Sequence, residues 1–513
     1  MFDIRCWNVD VVCQRHHIPS NFQNQTWCIE HPPSTTQTSI QQPLAEDNTM
    51  AVTEREMIAW CETLLAGRAA APDLTLADYI RDIPGLASLE DLPRDTPVLV
   101  RGDVDAKPGA SVGEGDIRLR SMVDTLNFGR ELGWKQIIFG HIGRKPEGSL
   151  AKVAKRLGEL LKCDVPLVAD WLDEASMTIR PEVTRQVAAA KPGSFLMLEN
   201  TRKYEIERVL WKAKSGDLPN LVPKLAKLAN EFAEKLGKAY VFEAFSAGSL
   251  DACSVAVPAA MNRVALGEYV ANEFAIHVVR CLDAQLVVFS GLKIDKLDDL
   301  EAMVGRGKII RVFAAGSLAM ALRKAAAQLD GKDCCLGVAE DPGHKDQPYY
   351  IPPQRIEQAK RMITDGRKKG ITFVLPVDSV IQDGSVVAEL KPGDQQFDVG
   401  PKTSERFENE IDEFMKLNGA VAFHNGVFGM FEDPRFEEGT RRFIPQLKRM
   451  TDHGIEVYVG GGEGGTALEK YGKEDWVTHV FTAGGTVLNA LGGEPVPFLV
   501  ALRAAAGKTL ASR

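Results

Sequence analysis

From residue 97 onward the chain alternates short apolar runs with longer amphipathic stretches, and most of the apolar runs end on, or are followed within a few residues by, a polar or charged residue. The runs are PVLVRG, QIIFG, VPLVA, SFLMLE and AYVFE, then QLVVFS, IIRVF, ITFVL, AVAFH, IEVYVG and THVFT. A strand buried on both faces reads as a continuous apolar run, and an amphipathic stretch of helical period between two such strands is a crossover helix. The pattern therefore predicts parallel sheets covered by helices on both faces. Between the two groups, GEYVANEFAIHVVRCLDAQ (267–285) carries apolar residues at helical spacing without a breaker and reads as one helix.

The expected architecture is α/β: two Rossmann-like lobes, each a parallel sheet covered on both faces, joined by the helix 267–285 acting as a hinge. A chain of 513 residues has room for two to four domains. Residues 1–49 are rich in Gln, Thr, Ser and Pro without periodicity and are expected to be disordered. Residues 50–94 open on MAVTEREMIAWCETLLAG and read as a helical segment, with Met50 a candidate start. The lobes then occupy 95–266 and 286–513.

Open parallel sheets bind ligands outside the carboxyl ends of their strands. Here those positions hold Asp103 and Asp105 after VLVRG, His141 and Arg144 after IIFG, Glu199 and Arg202 at FLML, and Glu243 after YVF. In the second lobe they hold Lys293, Asp378, Asn425 and Glu463. The first edge is mostly cationic, with Arg101, Arg118, Arg120, His141, Arg144, Lys145, Arg202 and Lys203. Guanidinium forks match carboxylate and phosphate, which implies a small, multiply charged anion. A solvated helix start accounts for Arg118 or Arg120 taken alone; the accumulation at one edge is the stronger signal. The second edge is built of glycine loops, SGLK, AAGSLA around Gly316, FHNGVFG and GGGEGG, with Lys293 as a placed cation, as a nucleotide site requires. An anion lobe facing a nucleotide lobe describes a kinase that closes to exclude water from phosphoryl transfer.

The stretch VYVGGGEGGTALEKYG (457–472) sharpens this. Glycines between a strand and a helix let backbone N–H groups approach an anion at the helix N-terminus. A Walker A loop needs a lysine after its last glycine, and none follows Gly465. Gly460-x-Gly462-x-x-Gly465 matches the dinucleotide fingerprint, but the acid expected about 20 residues on is replaced by HVFTAGG, so a nicotinamide-dependent dehydrogenase rests on the glycines alone. Glu463 reads best as a carboxylate for a Mg²⁺ carried on nucleotide phosphates, against a plain turn with a solvated Glu.

These segments, in this order, resemble phosphoglycerate kinase from about residue 95 to 500. VLVRGDVDAKPG is similar to R-V-D-x-N-V-P, FGHIGRKP to S-H-L-G-R-P, LMLENTRKYEIE to L-L-E-N-x-R-F, and VFEAFSAGS to V-N-D-A-F-G-T-A. SGLKIDKL resembles G-G-A-K-x-x-D-K-I, FVLPVD the L-P-V-D strand, FDVGPKT the D-I-G-P-K-T loop, HNGVFGMFE W-N-G-P-M-G-V-F-E, and VGGGEGGTA G-G-G-D-T-A. The resemblance implies reversible, Mg²⁺-dependent phosphoryl transfer between 1,3-bisphosphoglycerate with ADP and 3-phosphoglycerate with ATP. It implies that Asp103, Asp105, Arg118, His141, Arg144 and Arg202 hold the phosphoglycerate, with Arg118 and Lys293 catalytic. Lys293, Gly316, Asn425, Glu432, Gly461, Gly462, Glu463 and Thr466 would hold the nucleotide, with Glu463 on the metal side. The family is typically monomeric.

The departures fall in both sites. Where the family has a His-Arg-Ala-His run the chain reads SAGSLDACS, so Leu250 replaces the arginine and Ser249 and Ala252 the histidines. One lost charge-assisted hydrogen bond costs on the order of 1.5–3 kcal/mol, for which Lys203 is a candidate replacement cation or else a solvated surface lysine. Asp105 stands at the family's asparagine and repels an anion unless paired, with Arg101 the expected partner. Glu463 is one methylene longer than the family aspartate, and Gly464 and Gly465 precede Thr466. KIDKL is one residue short, so the motif does not carry Lys296 over as a second cation, and Val487 replaces a serine. Beside the active kinase stand a catalytically impaired nucleotide-binding relative and a kinase for another small carboxylic acid.

The net charge of −9 weighs against nucleic acid as a partner. Nine scattered cysteines form neither a disulfide framework nor C-x-x-C pairs, no apolar run reaches the roughly 18 residues of a membrane span, and no signal-peptide pattern opens the chain. A cytoplasmic location is expected.

Overall fold

The computed structural model describes residues 51–511, apart from residue 418. The segment 1–49 and Met50 lie outside the described residues. Every apolar run named above becomes a strand. The first sheet runs, edge to edge, Leu167–Val168, Phe195–Leu198, Lys135–Phe139, Pro97–Gly102, Ala239–Glu243 and Val264–Leu266, all parallel. The second runs Thr372–Val374, Arg311–Ala314, Leu286–Phe289, Val421–Asn425, Glu456–Gly460 and His479–Val480, again all parallel. Each sheet grows to one side of its first strand and then resumes on the other. Switch points thus lie between Pro97–Gly102 and Ala239–Glu243 and between Leu286–Phe289 and Val421–Asn425, where a crevice opens at the carboxyl ends.

Three pieces of sheet were not legible. Val264–Leu266 is three residues long, and an antiparallel sheet joins Ser379–Ile381, Val386–Val387 and Gln396–Val399. Leu172–Asp173 pairs with Thr178–Ile179. Val264–Leu266 offers only three apolar residues, and Gln396–Val399 mixes polar with apolar ones, so neither stands out as an apolar run.

The connecting segment differs from the single helix expected over 267–285. Glu268–Asn272 and Val279–Cys281 are α-helical, and Glu273–Val278 between them is a π-helix. From that turn the Glu273 carboxylate lies 2.8 Å from His479 Nε2, and the His277 ring stacks on His479 with centroids 3.7 Å apart. Such single π-turns inside an α-helix are found frequently at functional sites.

The helical segment ahead of the first strand begins with Glu54–Ala66, started by a capping box of Thr53 and Glu56. Its buried Trp60 donates to the Val255 carbonyl at 2.7 Å. The last helix, Pro497–Ala511, falls within the range 286–513 assigned to the second lobe, yet packs on the first: Phe498 stacks on Phe242 at 4.0 Å, and Arg503 bonds Asp82 at 2.9 Å. Phe498 and Leu502 are fully buried there, so the apolar face finds its cover on the first sheet. No single helix among the described residues is long and apolar enough to cross a membrane.

Candidate active site

Several strand-end acids turn inward and hold the scaffold. Glu199 accepts from Leu150 N at 2.7 Å, Asn200 N and Ser149 Oγ, both at 2.8 Å. Asp378 accepts from Thr403 N and Oγ1 and from Lys402 N, tying the first turn of helix Pro401–Phe414 to the sheet. Glu243 accepts from Thr125 Oγ1 at 2.6 Å and from Tyr269 N and Val270 N, at the start of the connecting helix. Burial pushes its carboxyl up to about 7.

The remaining groups converge at the first switch point. Asp103 is buried and accepts from Ser246 Oγ at 2.5 Å and Ser246 N at 3.0 Å, which clasps the ends of the two central strands. Asp105 pairs with Arg118, Oδ2 to Nη1 3.2 Å, and accepts from Gly143 N at 2.9 Å. Its partner is Arg118, not the expected Arg101, because Arg101 lies inside the sheet and spends its donors there. Arg101 donates to the Gly102 carbonyl, to Ser254 Oγ and, at 2.8 Å, to His141 Nδ1. Accepting there puts the His141 proton on Nε2. Burial, then Arg101, Arg202 and Arg118, hold the imidazole well below its usual range, so it is neutral although Asp251 lies 3.3 Å away.

Asp251 is the centre of this cluster. Fully buried, it takes Arg202 on both oxygens, with Nη2 at 2.9 and 3.1 Å and Nε at 3.2 Å, and the Trp211 indole N–H at 2.9 Å. Arg202 also donates to the Gly143 carbonyl at 2.7 Å. Arg144 and Lys145 are exposed and have no hydrogen-bond or ion-pair partner among the described residues. Lys203 bonds the Ala169 carbonyl at 3.3 Å, at the sheet's outer strand, and does not enter the cluster near Leu250.

At the second switch point the loops after Leu286–Phe289 and Arg311–Ala314 meet backbone to backbone. Gly316 has φ +64°, and a Cβ there would lie 2.5 Å from the Gly291 carbonyl, so only glycine fits. Lys296 reaches back into this crossing: its Nζ donates to the Ser290 carbonyl at 2.6 Å. Burial lowers its pKa, opposed by the nearby Glu463 carboxylate. Lys293 is exposed on the same loop, without a side-chain partner among the described residues. A cavity of about 270 Å³ opens beside them, walled by Met320, Phe397 and Phe428 and edged by Gly291, Gly316, Glu432 and Glu463. Asn425 lies apart from it, its amide packed where Cβ atoms on Gly460 and Gly484 would clash. Thr466 turns its hydroxyl onto the Gly462 carbonyl at 3.1 Å, one turn into the helix that Glu463 begins.

The two edges adjoin. Arg118 Nη1 donates to the Asp105 carbonyl at 2.6 Å, while Nε and Nη2 donate to the Thr482 carbonyl of the second lobe at 3.2 and 3.1 Å. A family model described as phosphoglycerate kinase matches residues 89–494, well over half of the chain. The chain belongs to the phosphoglycerate kinase family.

It is 29% identical over 426 residues to a phosphoglycerate kinase of Chloroherpeton thalassium, covering 79% of this chain and 96% of the relative. It is 29% identical over 440 residues to one of Latilactobacillus sakei, covering 81% and 98%. Among solved structures it resembles phosphoglycerate kinase from Coxiella burnetii, TM-score 0.60, 23% identity, 83% of this chain and 100% of that one. That from Pyrococcus horikoshii gives 0.62, 23%, 82% and 99%. At this identity the solved structures speak for the two-sheet fold. The fold brings Asp103, Asp105, Arg118, His141 and Arg202 together at the first switch point, and Gly316, Glu432 and Glu463 around the cavity at the second. Sequence reasoning set Lys296 aside on motif length and passed over Asp251, Ser246 and Thr482. For Asp251 a signal existed, a lone acid in AFSAGSLDACSVAVPAA, a run otherwise small and apolar.

Proposed function

We propose that the chain is a phosphoglycerate kinase that transfers phosphate reversibly between 1,3-bisphosphoglycerate with ADP and 3-phosphoglycerate with ATP, dependent on Mg²⁺. The observation that carries this reading is Arg118, bonded at once to the acid loop of the first lobe and to Thr482 of the second. It puts the cationic edge against the glycine loops. A loose phosphoryl transition state asks for positioning and charge neutralisation rather than covalent chemistry, which suits a site of arginines, lysines and backbone amides. In this reading Arg144 and Lys145, both open, receive the acid substrate; the His141 Nε2–H is a neutral donor; Arg118 orients the acid; and Lys293 and Lys296 neutralise the phosphoryl group.

Among the described residues no three His, Cys, Asp or Glu side chains cluster to hold a metal. The Glu463 carboxylate at the cavity edge, beside the Gly291 and Gly316 loops, suits an ion that arrives on nucleotide phosphates. Bound there, Mg²⁺ would offset phosphate charge. The test is turnover of the purified full chain with ATP, Mg²⁺ and 3-phosphoglycerate, with Lys293→Ala as control. Turnover that the substitution abolishes supports the assignment; ATP binding without turnover overturns it.

One observation favours a second reading, a kinase for another small carboxylic acid. Asp251 already occupies Arg202 as a substrate anion would, and Leu250 adds no charge, so the cluster suits an acid carrying fewer charges. Turnover of unphosphorylated hydroxy acids exceeding that of 3-phosphoglycerate would establish it.

A further inference from the structure

A larger cavity, about 660 Å³, lies away from both switch points and shares no lining residue with the cavity at Glu463. It forms where the helical segment ahead of the first strand meets the end of the connecting helix and the turn before the last helix. Its volume lies within the range of small-molecule sites, about 300–1,000 Å³. Its walls are largely apolar, with Leu74, Tyr79, Leu282 and Val496, and its charged groups are Arg68, Arg306, Lys308, Asp283 and Glu494.

The charges do not balance. Asp283 is spent on Lys308 at 3.3 Å and Arg280 at 3.5 Å. Arg68 and Arg306 have no hydrogen-bond or ion-pair partner for their side chains among the described residues. The Arg68 guanidinium lies over the Gly493 turn, with Nη1 3.3 Å from where a Cβ on Gly493 would stand. Arg306 follows the last turn of helix Lys296–Gly305, where a cation is favoured, but that does not account for a second guanidinium beside it. Arg306 is exposed at the cavity rim, yet partial desolvation there and the nearby Arg68 charge both depress its pKa. Glu494 is the one carboxylate left to face two guanidiniums, and like charges brought together at a cavity wall are relieved by a bound anion.

We propose that this cavity is a second binding site, which takes a small organic anion, a phosphate or carboxylate on an apolar body, held by Arg68 and Arg306. The forks would take the anionic group and the apolar wall its body.

The test is calorimetric titration of the full chain with phenyl phosphate, with benzyl alcohol and inorganic phosphate as probes of each half alone. Phenyl phosphate should bind at least about tenfold tighter than either. Its affinity should fall about tenfold or more in Arg68→Gln and further in Arg68→Gln/Arg306→Gln, the loss expected for charge-assisted hydrogen bonds. Arg306→Lys, which keeps the charge, should lose less. Arg68 and Arg306 are both exposed, so the single and the double variant should retain the wild-type melting transition. Absence of phenyl phosphate binding, or binding unchanged in Arg68→Gln, would overturn the proposal. Any binding at the first-lobe arginines is separated because Arg144→Ala should leave the Arg68-dependent event intact.

Discussion

Arg202 lies across the fully buried carboxylate of Asp251, with Nη2 at 2.9 Å from Oδ2 and Nε at 3.2 Å from Oδ1. Leu250, at the position where the family resemblance leads one to expect an arginine, brings no cation beside this pair, so Asp251 itself is the anion that Arg202 holds. Removing half of a buried ion pair typically costs about 3–5 kcal/mol, because the other half stays buried and uncompensated. Asp251→Asn should therefore lower the urea midpoint without changing its slope. Phosphate or 3-phosphoglycerate should restore the loss by taking the place of the carboxylate on Arg202. A variant as stable as the parent, or one indifferent to these anions, would show that Asp251 does not hold the cluster.

Lys293 on the loop and Lys296 at the start of the helix that follows it do not share one role. Lys296 is held against the Ser290 carbonyl, near Glu463, while Lys293 is exposed. Lys296→Met should reduce kcat about 10²–10³-fold, the range for removing one preorganised donor from a developing charge. Its effect should match or exceed that of Lys293→Ala. Steady-state rates at saturating ATP decide it: a Lys296→Met enzyme with unchanged kcat would reduce Lys296 to a structural tie.

How much of this was legible in the sequence follows from the length over which each signal repeats. Apolar runs of four or five residues, bounded by charged strand ends, registered every long strand of both sheets. Val264–Leu266 is a run of three, and the antiparallel strands Ser379–Ile381 and Gln396–Val399 mix polar with apolar residues, so none forms an apolar run that stands out. Strand-end position located both edges, but not the direction a side chain takes from there. Glu199, Glu243 and Asp378 satisfy backbone amides, while Arg118 and His141 face the cluster. Asp251 belongs to no periodic pattern, and its partners lie 40 or more residues away in the chain, so only the fold reveals them.

Asp105 offers a gain of function. It accepts from Gly143 N and pairs with Arg118, one of the groups proposed to orient the acid substrate. Asp105→Asn keeps an acceptor for Gly143 and removes the charge that a bound anion must oppose. The pair is partly open to solvent, so the change in stability should stay within about 1 kcal/mol. KM for 3-phosphoglycerate should fall severalfold, with a smaller change in kcat. A rise in KM would mean that the Asp105–Arg118 pair positions Arg118 for the substrate.

Glu243 gives stability a pH dependence of defined sign. Its three donors, Thr125 Oγ1, Tyr269 N and Val270 N, favour the carboxylate, but burial outweighs them and raises its pKa from 4.5 to about 7. Between those values the unfolded chain has already released the proton while the folded chain still holds it. The unfolded state then binds fewer protons, and stability falls as pH rises through this window. Each pKa unit corresponds to about 1.4 kcal/mol, so the full contribution approaches about 3 kcal/mol. It is present below pH ~4.5 and lost above pH ~7. Glu243→Gln keeps one oxygen to accept while never ionising. Denaturant midpoints of parent and variant, measured from pH 4.5 to 7.5, should converge at the acid end, with the variant the more stable at neutral pH. Parallel pH profiles would show that Glu243 is ionised throughout, and that the amides at the start of the connecting helix dominate over its burial.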